Sequence, residues 1–159
     1  MNEYIQLLTG MLGSVGFALI FRLPYRYLSL AALGGLINWG SYLLFFLLTD
    51  KLFLSCFLAA ALSALYAELL AKYLRAPTTL FLIPAVIPSI PGSNLYYTLE
   101  AAVGGDPGAV GENALLTCKW AFGIAAGISL VGILFVMLRS IPKNQKKPQA
   151  FAADKSEEP

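Results

Sequence analysis

A helix needs roughly 20 mostly apolar residues to cross a bilayer core about 30 Å thick. This sequence divides into five stretches on that scale, at 4–21, 27–48, 52–73, 78–103 and 113–138. The expected fold class is therefore an all-α polytopic membrane protein with five transmembrane helices. Breaks in the pattern agree with the division. Arg22, Pro24 and Arg26 separate the first stretch from the second, Thr49, Asp50 and Lys51 the second from the third, and Arg75 and Pro77 the third from the fourth. Gly104, Gly105, Asp106, Pro107 and Gly108 separate the last two. Residues 1–141 are read as one membrane domain. Residues 142–159, rich in Lys, Gln, Pro and Glu without an apolar face, are read as a disordered tail.

Composition narrows the function classes. Only 13% of the residues are charged against 58% hydrophobic, and a net charge of +2 without a basic stripe argues against nucleic acid. Histidine is absent, and Asp50, Asp106 and Asp154 all lie outside the apolar runs. No cluster suited to a metal or a catalytic triad is expected, and no enzyme or cofactor with it. Cys56 and Cys118 sit in apolar segments without a paired spacing and read as small hydrophobes. Near the N-terminus Asn2 and Glu3 stand where a cleavable leader would carry cations, so the first run is read as a retained span.

Cations in short loops resist translocation. Arg22 and Arg26 lie in the first loop, Lys72 and Arg75 around the third, and Arg139, Lys143, Lys146 and Lys147 after the fifth span; the intervening loops carry Lys51 alone. With five spans these charges fall on one side, which places the N-terminus outside and the C-terminus in the cytoplasm. Glycines at 10, 13, 16, 34, 35, 123, 127 and 132 point to close helix packing.

The fourth stretch departs from the others. Pro84, Pro88 and Pro91, with Gly92 directly after, remove three backbone donors within eight residues. A helix broken near the midplane is expected, with Ser89, Ser93 and Asn94 capping its second half. Unwound backbone survives at that depth only inside protein or against a watery cavity. A broken helix of this kind either holds an anionic group at its second half, as transporters do, or is a kinked structural helix.

Three ionisable residues fall inside apolar runs. Glu68 has Lys72 four positions on and is expected to pair with it. Glu100 and Lys119 read either as a buried structural pair or as the charged wall of a permeation path. Asn38, near the centre of the second span, and Ser63 at a similar level in the third are candidates for bonding to a neighbouring helix, with Asn38 also a secondary candidate for substrate contact.

The run Pro88-Ser89-Ile90-Pro91-Gly92-Ser93-Asn94-Leu95-Tyr96-Tyr97, set in five-span hydropathy over residues 4–138, resembles the threonine/serine exporter family. The likeness is to the C-terminal membrane half, which also occurs as a separate small subunit. The resemblance implies a bacterial inner-membrane exporter of small hydrophilic carboxylates: threonine and serine for fused relatives, succinate as well for split pairs, driven by the proton gradient. Because one half is present where fused relatives carry two, it also implies a larger membrane subunit as partner or, failing that, a homo-oligomer. The competing reading is a non-transporting assembly subunit. For the exporter, the carboxylate is expected at the second half-helix, where a helix dipole favours an anion by roughly 0.3–2 kcal/mol. Gly92 would permit close approach, Ser89, Ser93 and Asn94 would donate, and Tyr96 or Tyr97 would close the site. Lys119 would attract the anion and Glu100 would carry the proton.

Overall fold

The computed structural model describes residues 3–140, and among them every regular element is helical. The expected tail at 142–159, with Lys143, Lys146 and Lys147, lies outside the described residues. α1 spans Glu3–Ile20, α2 Leu28–Thr49, α3 Leu52–Leu74, α4 Thr79–Val86, α5 Gly92–Gly104 and α6 Pro107–Ser140. A 3-10 turn at Tyr25–Tyr27 leads into α2 and another at Ile87–Ser89 follows α4. Four helices are long and apolar enough to cross a membrane: α1, α2 with its leading turn, α3 and α6. The expected fourth span is instead an apolar segment of 11 residues, Thr79–Ser89, followed by the 13-residue α5.

α6 corrects a second expectation. It begins at Pro107 and not near 113, and runs for 34 residues, about 51 Å at 1.5 Å per residue. Proline suits a first helical position because its missing N–H has no partner there. Asp106 stands just before it and accepts a hydrogen bond at Oδ1 from the N–H of Ala109 at 3.1 Å, a helix cap.

The helix ends are closed by left-handed residues. Arg22, Asp50 and Arg75 have φ of 54°, 52° and 52°, and Gly105 has 72°. After α1 the N–H of Leu23 bonds Ala18 O at 2.9 Å, and after α3 the N–H of Ala76 bonds Ala71 O at 3.1 Å. These bonds fold the chain back sharply and satisfy carbonyls the helix leaves free.

α3 packs on both α2 and α6, α1 packs on α2, and α4 lies against α2, α3 and α1. Small residues set these distances. A Cβ on Gly123 would stand 2.9 Å from Phe53 O, and one on Gly127 would stand 3.0 Å from Ala61 N and overlap Phe57 O. α3 and α6 therefore run parallel with their backbones touching. A Cβ on Gly34 would lie 2.9 Å from that of Ala85, which seats α4 on α2. A Cβ on Gly13, Gly16 or Gly132 would meet nothing within 4 Å among the described residues, so these three are not points of close helix approach there.

All the described loop cations but Lys51 gather at one end of the bundle: Arg22, Arg26, Lys72, Arg75 and Arg139. At this basic end Glu68 pairs with Arg139 across α3 and α6, N to O 2.7 Å. The expected partner was Lys72. The parallel run of α3 and α6 brings Arg139 alongside Glu68, and its guanidinium takes the carboxylate.

Candidate functional site

The chain loses helical order where the prolines demand it. Pro84 is accommodated inside α4 and is buried. Pro88 and Pro91 are not: the backbone tightens into the turn at Ile87–Ser89, and Ile90 extends with φ −65° and ψ 126°. α5 starts at Gly92 after Pro91, whose ψ of 56° is not helical. The break at 87–91 thus lies close to the expected position. Its capping differs. No side chain caps α5, because Ser89 is turned into the protein and Ser93 and Asn94 already lie within the first turn. Among the described residues no acceptor meets the N–H groups of Ser93 and Asn94.

Those two residues border a cavity of about 440 Å³ between α1, α2, the break and α6. Gln6, Trp39, Tyr42, Phe46, Pro88, Pro91 and Trp120 also line it. Trp39, Tyr42 and Trp120 form a tilted stack, with ring centroids 5.0 Å and 4.8 Å apart, and Trp39 Nε1 donates to Gln6 Oε1 at 3.3 Å. The lining contains no charged side chain. A small polar molecule there would meet the first turn of α5 on one side and an aromatic wall on the other.

The opposite side of the break is closed by a polar bridge. Ser89 Oγ donates to Asn38 Oδ1, Asn38 Nδ2 donates to Ser63 Oγ at 2.9 Å, and Ser63 Oγ donates to Ala59 O at 2.9 Å. All three side chains are buried. The expected interhelical role of Asn38 and Ser63 is observed. Asn38 and Ser89 do not line the cavity, since their polar groups are consumed within the protein.

The remaining candidates are spread along the α5–α6 pair. Gly92 is exposed, and a Cβ there would meet nothing within 4 Å. Tyr96 and Tyr97 are exposed, their rings edge to face 5.5 Å apart. The tight turn at Gly105 makes α5 and α6 an antiparallel hairpin, so Glu100 lies near residue 111 and Lys119 near Gly92. Along the hairpin axis they stand about 12 Å apart. Both are exposed and no ion pair joins them, so a matched buried pair is not what the hairpin register allows. Sequence reasoning passed over Gln6, Trp120 and the Trp39, Tyr42, Phe46 series. Its spacing of three and four residues, one stripe on α2, was the available signal.

No solved structure matches this chain. The family model described as Threonine/Serine exporter, ThrE matches residues 6–134, from the second turn of α1 to near the end of α6. It therefore takes in all six helices and the break, and the chain belongs to the threonine/serine exporter family.

Proposed function

We propose that this chain is one membrane half of a secondary exporter of small hydrophilic carboxylates, of the threonine/serine or succinate type, in a bacterial inner membrane. The observation that carries the reading is the cavity of about 440 Å³ at a helix break lined by Ser93 and Asn94, whose N–H groups meet no acceptor among the described residues. Free N–H groups and the positive end of a helix dipole favour an anion, and they do so most where water is excluded. The substrate carboxylate is held there, with Gly92 leaving its approach open and the Ser93 and Asn94 side chains donating beside it. Lys119, level with the start of α5, draws the anion to the site. Tyr96 or Tyr97 closes over it, and Glu100, farther along α5, carries the coupling proton.

The basic end faces the cytoplasm, because cations resist translocation. A larger subunit of the same family completes the transporter, since repeat-built carriers form their site where two halves meet. A second reading, a subunit serving assembly only, draws on the dense packing between the cavity and the basic end. Efflux of labelled serine, threonine and succinate separates the two, measured in cells expressing this chain with and without the larger subunit. Gly92→Val sets its Cβ where nothing lies within 4 Å, and it is expected to abolish efflux while the protein stays in the membrane. Normal export by that variant would remove the half-helix site.

A further inference from the structure

Between the cavity and the basic end, four elements each place a buried polar side chain close to one level: Ser14 on α1, Asn38 on α2, Ser63 on α3 and Ser89 after α4. None is more than 1% exposed. Three are joined in the bridge through Asn38. The fourth is not, for Ser14 Oγ is buried with no hydrogen-bond partner among the described residues. It lies hard against Gly35, one turn from Asn38 on the same face of α2. A buried hydroxyl without a partner destabilises the fold, and an alanine would fill the same space without that cost. Packing therefore gives no reason for a polar atom at Ser14.

The position of these groups supplies one. Pro88 lines the cavity while Ser89, the next residue, belongs to the bridge, so the bridge is the cavity's floor. Beneath it the small cluster of Ala18, Leu23 and Ala31, with Tyr27, Leu28 and Leu80 packed on it, separates the floor from the basic end. The piece of chain carrying Ser89 is only 11 residues long, with the left-handed Arg75 and Pro77 before it and the extended Ile90 after it.

We propose that Ser14, Asn38, Ser63 and Ser89 are an inner gate, and that they line a hydrated passage when Thr79–Ser89 moves away from α1, α2 and α3. In the closed arrangement Asn38 holds the gate shut through Ser89 and Ser63, and Ser14 waits without a partner. In the open arrangement all four face water and the polar substrate crossing from the basic end. The proposal rests on the exporter reading, and its test is chosen to fail separately from it.

The test is cysteine accessibility in a chain carrying Cys56→Ala and Cys118→Ser, co-expressed with the larger subunit where efflux requires it. Ser63→Cys, Ser14→Cys and the control Ala60→Cys are labelled from the basic end with a charged, membrane-impermeant thiosulfonate, in inverted vesicles. Ser63 and Ala60 lie on the same helix and are equally buried, but Ala60 faces Gly127 of α6, away from the gate. Under transport conditions Ser63→Cys and Ser14→Cys are expected to label faster than in resting vesicles. The gain is about tenfold if the open state rises from a few per cent to a substantial population, and Ala60→Cys stays unreactive. Should Ser63→Cys misfold, Ser14→Cys gives an independent reading from α1. Labelling of both no faster than of Ala60→Cys, in vesicles that transport, would overturn the gate. Uptake of labelled substrate into inverted vesicles carrying the unsubstituted chain tests the exporter reading by itself.

Discussion

The contact between α3 and α6 yields a quantitative prediction from two glycines on one helix. Gly127→Ala would set a methyl group against Phe57 O, 3.0 Å from Ala61 N and 3.1 Å from Ala60 Cβ, whereas at Gly132 the same methyl meets nothing within 4 Å. Both substitutions gain about 1 kcal/mol of helix propensity. Only the first has to push α3 and α6 apart, and its obstacles include backbone atoms that cannot rotate aside. The cost belongs near the upper end of the usual range for overpacking, about 3 kcal/mol. Gly127→Ala should therefore lose about 2 kcal/mol and Gly132→Ala gain about 1, a gap of about 3 kcal/mol. Reversible unfolding from mild detergent into sodium dodecyl sulfate reads this gap, with the two tryptophans as reporters; Trp120 and Trp39 both pack in the cluster beside the α3–α6 seam. Equal unfolding free energies for the two variants would refute the reasoning that backbone contact holds the seam.

Arg139→Ala should weaken the fold measurably, because although the arginine is 59% exposed its loss leaves the Glu68 carboxylate, only 12% exposed, without its partner; Lys72→Ala should leave the same unfolding curve unchanged. A reporter active only in the cytoplasm, fused after Leu138, is expected to be active, and silence from a well-expressed fusion would reverse the proposed orientation. Glu100→Gln is expected to keep substrate exchange while efflux loses its dependence on the pH gradient; retention of the full dependence would move the proton elsewhere.

Much of the architecture was legible because bilayer thickness is a strong ruler. The limits of α1, α2 and α3 fall within a residue or so of those read from hydropathy, and the prolines marked the break. The start of α6 was missed because the Gly104 to Gly108 cluster reads as a loop, although Asp106 followed by Pro107 is also a cap followed by a first helical residue. The Glu68 pairing was misread because helical spacing reports neighbours along one helix and is blind to a parallel helix beside it. The cavity's aromatic wall depends on how α1, α2 and α6 come together, which no local pattern encodes. Asn38 and Ser63 were placed at one depth correctly, but that Ser89 completes their bridge depended on which way the turn at Ile87–Ser89 faces.

The left-handed arginines at the ends of α1 and α3 bear on how the protein is made as well as on how it holds together. A left-handed residue bearing a Cβ costs roughly 1–2 kcal/mol relative to a relaxed conformation, and glycine at positions 22 and 75 would remove that strain. It would also delete two of the five described cations at the basic end. Those charges act during synthesis, when each emerging hairpin is sorted to one side of the bilayer. If the basic end faces the cytoplasm as proposed, the two turns trade equilibrium stability for directional information that is used once, before the fold exists. Double replacement by glycine should give a chain more stable once correctly inserted, and a larger share of molecules inserted the wrong way round.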